Sequence, residues 1–267
     1  MKHLTRKTVA IRLGLSTVAA ASLAVPATSA SVADNHVLTL SGVGQYFTVP
    51  HSASLAASSE ITVEYWVRTS NTSGVGRIGK TAPSDGQWGL EVNARGEAMF
   101  DIHSNASSGV TSHPMNEWFH LAGTWKQSTG VATVYINGQL RASAVGWGTT
   151  MQSVNYPIVI GYQPGYSITQ LYGSVDNFRV WTVARTQAEI QSLMHQQLSP
   201  AASSAYSGLV LSLDFENGGT DASQYANNGT FVGGASVTVD NSFLIPAPGV
   251  LALAGLAGLT SSRRRTA

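Results

Sequence analysis

The chain has 267 residues, no cysteine, 43% hydrophobic and 11% charged residues, and a formal net charge of +1. The lack of cysteine excludes a disulfide framework, a thiolate metal site, a cysteine nucleophile and thiol redox chemistry. Seven of the fifteen basic residues sit at the two ends, so residues 31–243 hold eight Lys and Arg against all fourteen Asp and Glu; that net charge of −6, with His neutral, disfavours nucleic acid as a partner.

At the start, Lys2, Arg6, Lys7 and Arg12 precede the apolar segment Leu13 to Val25 and the small residues Ala27-Thr28-Ser29-Ala30. This is the order of parts of a secretory signal peptide over residues 1–30, forming an N-terminal signal helix, with cleavage after Ala30 and a second acceptable cut at Ser31-Val32-Ala33. From residue 34 to 240, turn signals recur roughly every eight to twelve residues between short β-rich runs, the rhythm of a single all-β sandwich. The runs that read as strands are His36 to Leu40, Tyr46 to Val49, Ile61 to Arg68, Arg77 to Lys80, Trp88 to Asn93, Ala98 to His103 and Trp118 to Trp125. They continue with Val131 to Ile136, Gln139 to Ala144, Ile158 to Ile160, Tyr172 to Trp181, Leu209 to Phe215 and Val237 to Val239.

Most of these alternate apolar and polar residues. Ile61, Val63, Tyr65 and Val67 share one face and Thr62, Glu64, Trp66 and Arg68 the other, which predicts one core-facing side per strand. Asn137-Gly138 predicts a type I′ hairpin. One short helix is expected after Thr186-Gln187-Ala188-Glu189, a capping box followed by the apolar stripe Ile190, Leu193 and Met194, and is placed against a sheet edge. Ser199 to Ser207 reads as a loop.

The chain ends with Ile245-Pro246-Ala247-Pro248-Gly249, the apolar run Val250 to Leu259, and Arg263, Arg264 and Arg265. As a hydrophobic helix this run is short for a hydrocarbon core of ~30 Å, which takes about 20 apolar residues. It reads as a transient anchor with its arginines on the cytoplasmic side; the plain alternative is an apolar C-terminal helix of the domain. Together the three parts, residues 245–266, resemble the PEP-CTERM sorting signal of exosortase-processed bacterial surface proteins, in a Pro-Ala-Pro variant with Ala247 where Glu is usual. That resemblance implies an exosortase-type processing enzyme as partner, transient inner-membrane anchoring through the tail, and a final place at the cell surface or in extracellular matrix.

Across the body, an ordered series of segments carries a second resemblance. It runs from Leu40-Ser41-Gly42 through Ile61-Thr62-Val63-Glu64-Tyr65-Trp66-Val67, Gly79-Lys80, Asn116-Glu117-Trp118-Phe119-His120-Leu121 and Val134-Tyr135-Ile136-Asn137-Gly138. It closes on Ile160-Gly161, Gly173-Ser174-Val175-Asp176-Asn177-Phe178-Arg179-Val180-Trp181 and Asp214-Phe215-Glu216-Asn217. Residues 34–240 thereby resemble the LamG-like jelly roll of the concanavalin A-like lectin/glucanase superfamily. The resemblance implies a two-sheet antiparallel jelly-roll sandwich and places Trp66, Trp118, Trp125 and Trp181 in the core. It supplies no activity, because the fold hosts hydrolases, lectins, adhesins and spacers. It also implies a structural calcium on Asp176, with backbone carbonyls near Ser41 and Gly42 as co-ligands. Calcium takes six to eight oxygens, many from main chain; Gln45 stands where the family usually has an acid. The bland reading is that Asp176 pairs with Arg179 or caps a turn.

Loop aromatics are the natural platform for sugars, whose apolar faces stack on rings. Trp147, Tyr156, Tyr162 and Tyr166 are the candidates, each of which can equally cover a sandwich edge. A retaining glycosidase needs two carboxylates about 5 Å apart on one face. No alternating array of acids exists; Glu91, Glu97 and Asp101 flank a turn, with Glu91 and Asp101 able to face each other across the hairpin. His103, His113 and His120 lack metal spacing or a nucleophile partner. These features predict an exported, non-catalytic, adhesin- or lectin-like domain that binds extracellular polysaccharide or another glycan. A ligand-free matrix spacer and an atypical glycoside hydrolase are the competing readings.

Overall fold

The computed structural model describes residues 34–243 apart from residues 58, 71–73, 83–84, 104–105, 147, 149, 163–164, 166–168 and 199–205. The expected signal and tail helices, with Ala30, Pro246, Pro248, Arg263, Arg264 and Arg265, lie outside the described residues, as do Trp147 and Tyr166.

Two antiparallel sheets face each other. The first runs, in spatial order, β11 (Gln139–Val145), β10 (Val131–Ile136), β9 (Phe119–Lys126), β3 (Glu60–Thr69), β13 (Gly173–Trp181), β1 (His36–Leu40) and β16 (Ser236–Val239), with β14 (Leu209–Leu213) also paired to β13. The second runs β15 (Thr230–Val232), β2 (Tyr46–Val49), β12 (Ile158–Ile160), β4 (Val75–Ala82), β5 (Asp85–Asn93), β6 (Glu97–Ile102) and β7 (Ala106–Ser107), with β8 (Thr111–Ser112) also on β6. The thirteen expected runs are all strands, to within three residues at their ends. The pieces that sequence reading left out, β7, β8 and β15, are too short to show alternation.

Period-two alternation fills the space between the sheets. On β6, Ala98, Phe100 and Ile102 point inward while Glu97, Met99 and Asp101 do not. Phe47, Trp88, Phe100, Phe119, Trp125 and Phe178 are all at most 1% exposed; each such burial stabilises the fold by about 1.5–3 kcal/mol. Gly123 belongs to this packing, since a Cβ there would stand 2.3 Å from the Phe100 ring. Asn137 and Gly138 adopt φ of 51° and 68°, the type I′ turn expected between β10 and β11.

The outer face of the first sheet departs from the expectation of one buried side per strand. Thr62, Glu64 and Trp66 are 0%, 0% and 5% exposed, because α1 (Gln187–Leu193) and the chain around it cover them. The capping box is present, with Thr186 Oγ1 accepting from the Glu189 N–H and Glu189 Oε2 from the Thr186 N–H at 2.7 Å. The helix lies across the face rather than at an edge, because Ile190 packs on Ala122 and Tyr135, and Leu193 joins Trp181 and Leu209. Two tryptophans expected in the core belong to this outer layer: Trp181, and Trp66, whose Nε1 donates to Met194 O at 2.6 Å. Trp118 is only half-buried and stacks on Phe243. Among the described residues no helix is long and apolar enough to cross a membrane.

Beneath the helix sits a buried ionic cluster. Glu64 accepts from Trp181 Nε1 at 2.8 Å and Arg185 Nη1 at 3.1 Å, with Arg179 Nη1 at 4.0 Å and His120 Nε2 at 3.6 Å. Burial holds His120 well below its ordinary pKa, helped by Arg179, so its ring is neutral. The arginines also satisfy the carbonyls of the helix and its C-terminal end: Arg185 donates to Glu189 O, and Arg179 to Leu193 O and Gln196 O. Removing one partner of a buried pair strands the rest. Glu64→Ala is therefore expected to cost about 3–5 kcal/mol in denaturant unfolding; a loss below about 1 kcal/mol would show that the carbonyls alone suffice for both guanidinium groups.

Candidate functional site

The outer face of the second sheet carries a charged cluster set by strand register. Arg77 on β4 lies opposite Glu91 on β5, and Asp101 on β6 lies opposite Gly89, two residues from Glu91. Arg77 Nη1 binds Glu91 Oε1, and Nη2 reaches Asp101 Oδ2 at 3.4 Å. The three side chains are only 14–17% exposed. Burial pushes both carboxyls above their ordinary range while Arg77 pulls them down. Asp101 Oδ1 and Arg77 Nε are buried without a hydrogen-bond partner, a costly state for polar atoms.

Glycine makes room for this arrangement. A Cβ at Gly89 would stand 2.5 Å from Arg77 Nη2, so the guanidinium lies directly over that backbone. Gly79 is its cross-strand partner. A transverse row of Thr48, Val159, Gly79, Gly89 and Asp101 thus crosses five strands with nothing bulky at its middle. The cross-hairpin meeting of Glu91 and Asp101 occurs, but with Arg77 between them. Glu97 stays at the turn, where it accepts from Asn93 Nδ2 at 2.8 Å.

The two described candidate aromatics, Tyr156 and Tyr162, do not share one platform. Tyr156 and Tyr162 flank opposite ends of β12, six residues or roughly 20 Å apart. Tyr162 instead approaches Tyr46 of β2, with ring centroids 6.1 Å apart. Both tyrosines are half-buried.

Asp176 is fully buried on the outer face of the first sheet, at an irregular step of β13 where Asn177 takes φ 48°. Its carboxylate accepts from the Asn177 N–H at 2.7 Å and Asn35 Nδ2 at 3.3 Å. Burial pushes its pKa up to about 7, and Glu216 adds to the rise. It does not pair directly with Arg179, whose partners are Asn177 Oδ1, helix-end carbonyls and Glu64. Ser41 and Gly42 are elsewhere: β1 pairs Leu40 with Gly173, so they lie roughly 12 Å along the sheet from Asp176. There the Ser41 N–H donates to Gln45 Oε1 at 2.7 Å, and Gly42 O accepts from the Gln45 N–H. Among the described residues no group of three or more His, Asp or Glu side chains is placed to hold a metal. The oxygen donors present at Asp176 are its own carboxylate, Asn35 Oδ1, which is buried without a partner, and Asp240 O, which accepts from Asn35 Nδ2. That set suits a hard cation in donor type.

The fold has known counterparts. A Bacteroides ovatus protein provisionally described as carbohydrate binding superposes with a TM-score of 0.62 at 21% identity, over 78% of this chain and 60% of its own. This chain thus spans about 60% of that protein's length. The heptameric SAP-like pentraxin of Limulus polyphemus superposes with a TM-score of 0.56 at 15% identity, over 78% of this chain and 96% of its own. At these identities the likeness is one of fold. No curated protein matches the chain. Residues 41–191 match a laminin G-type family model, more than half of the sequence and every strand from β2 to β13, and the chain belongs to the concanavalin A-like lectin/glucanases superfamily.

Proposed function

We propose that this protein is a non-catalytic carbohydrate-binding domain that engages a polysaccharide through the outer face of its second sheet. The observation that carries the reading is the cluster of Arg77, Glu91 and Asp101 above the Gly79–Gly89 floor, whose side chains are 14–17% exposed on this face. A sugar hydroxyl is both donor and acceptor, so one hydroxyl can donate to the carboxylate and accept from the guanidinium. The description of the Bacteroides ovatus protein points the same way. Arg77 also weighs against hydrolysis, because its guanidinium stands between the two acids and pairs with both. In native gels cast with laminarin, xylan and alginate, residues 34–243 are expected to be retarded by at least one polymer. Gly89→Ala, which displaces the guanidinium without touching the core, should weaken that retardation at least fivefold; unchanged mobility of the wild-type domain in every gel favours the ligand-free matrix spacer instead.

A structural calcium is proposed at Asp176, held with Asn35 and neighbouring carbonyls rather than with Ser41 and Gly42. When bound, the cation supplies the positive charge that the buried carboxylate lacks. The pH dependence of the metal-free protein follows from the raised pKa: the folded state favours the protonated acid, so this contribution is complete below about pH 4 and declines as pH rises to about 7. In chelator, Asp176→Asn should therefore melt above wild type at pH 8, with the gap closing toward pH 4. Millimolar calcium should reverse that order at pH 8 by mass action on wild type alone. An equal calcium response in both proteins, or none in either, removes the metal from this site.

Export and surface display are proposed from the two ends of the sequence. Deleting residues 246–267 is expected to release the protein into the periplasm or medium; continued fractionation with membranes would contradict a sorting role for the tail.

A further inference from the structure

A second polar recess lies on the opposite side of the sandwich. Its volume is about 470 Å³, within the range of small-molecule sites, roughly 300–1,000 Å³. It forms where the end of β1, the end of β3 and the start of β13 meet on the outer face of the first sheet. Register brings Thr39, Ser174 and Arg68 into one transverse row. Ser41, Ser70 and Asn116 complete the walls.

The chemistry of this lining is specific. Arg68 is fixed from three sides: Nη2 meets Asp240 Oδ2 at 2.7 Å, Nη1 donates to Ser242 Oγ at 3.3 Å, and the guanidinium lies 5.4 Å from the Trp118 ring centre. Its charge is therefore already balanced, while three of its five N–H groups remain for other acceptors. Asn116 is held at φ 60° with its backbone N–H on Thr69 O, and its exposed side-chain amide makes no hydrogen bond. Hydroxyls on neighbouring strands stand about 4.8 Å apart, close to the width of one sugar ring. An anion would find no uncompensated cation here, and an apolar ligand would strand the Asn116 amide and the remaining Arg68 N–H groups, since Thr39 Oγ1 is already paired with Thr238 Oγ1 at 2.6 Å.

From this we propose a second saccharide site, for a neutral sugar unit, centred on Thr39, Arg68, Asn116 and Ser174. It rests on the carbohydrate-binding reading for its ligand class but not on the Arg77 cluster. The two sites point in opposite directions from the two sheets, so one molecule can hold two polymer chains and act as a cross-link, with the gain in avidity that two linked sites give.

The test is stoichiometry on the full chain, read by native mass spectrometry and calorimetry with the pentasaccharides of laminarin, xylan and cellulose. Wild type is expected to bind two copies of at least one probe. Ser70→Trp, an exposed substitution that fills the recess, should bind one, as should Gly89→Ala, and the double variant none; melting curves confirm that each is folded. Turbidity of the matching polymer, which needs both sites, should be lost in either single variant. If Ser70→Trp keeps the wild-type stoichiometry, or wild type binds none of the three, the second site is wrong. If Gly89→Ala alone keeps the wild-type value, the Arg77 site fails while the second one stands.

Discussion

The arrangement of the whole molecule depends on one buried carboxylate. Glu64 occupies the side of β3 that a two-sheet sandwich ordinarily gives to water, yet it is fully enclosed. Such burial is tolerable only where partners replace the lost hydration. Arg185 and the Trp181 indole supply direct bonds, and Arg179 adds a second positive charge at 4.0 Å. The same two arginines bind carbonyls in the first turn and at the C-terminal end of α1, so a seven-residue helix that would be marginal alone is fixed over the sheet. This commits the outer face of the first sheet to structure across its middle. Among the described residues no helix covers the second sheet, and the Arg77 cluster lies there.

Two other buried charges lack that balance. The Lys80 ammonium is wholly buried and donates to Leu55 O at 2.9 Å, with burial lowering its pKa to about 8. Its bond ties the short 3-10 turn Ala53–Leu55 to β4. A single carbonyl is a weak substitute for a counter-ion, so burial is not offset. Asp176 is the acidic counterpart: two N–H groups reach it, but no cation does. At Glu64 a guanidinium bonds the buried carboxylate directly, although Oε2 has no hydrogen-bond partner. The shell of Asp176 holds no cation, which is why calcium is proposed there.

Most of the framework was legible in the sequence because it is encoded locally. Alternation in Ile61–Val67, the Asn137-Gly138 turn and the capping box at Thr186 each depend on residues within a few positions of one another. What was not legible depends on distant register. Glu64 in an alternating strand reads as solvent-facing, since its partners Arg179 and Arg185 lie more than a hundred residues away. Arg77 was missed between the acids that had been noticed, because only the pairing of β4 with β5 sets it opposite Glu91. Gly79 and Gly89 were the available signal: glycine inside a strand marks a close approach. For Asp176, antiparallel pairing brings the start of β1 to it and carries Ser41 away, so Asn35 becomes its neighbour.

The glycine pair also bears on the shape of the ligand. The row from Thr48 to Asp101 crosses five strands, and its middle members Val159, Gly79 and Gly89 are buried. At about 4.8 Å per strand its length is roughly 20 Å, several sugar units rather than one. The charged cluster lies at one end of that row and the Tyr46–Tyr162 pair beside the other. Under the proposed reading, a linear polymer laid across the strands would meet hydrogen-bonding groups at one end and aromatic surface at the other. A single sugar unit would reach only one of these, so the proposed reading predicts an affinity that grows with chain length.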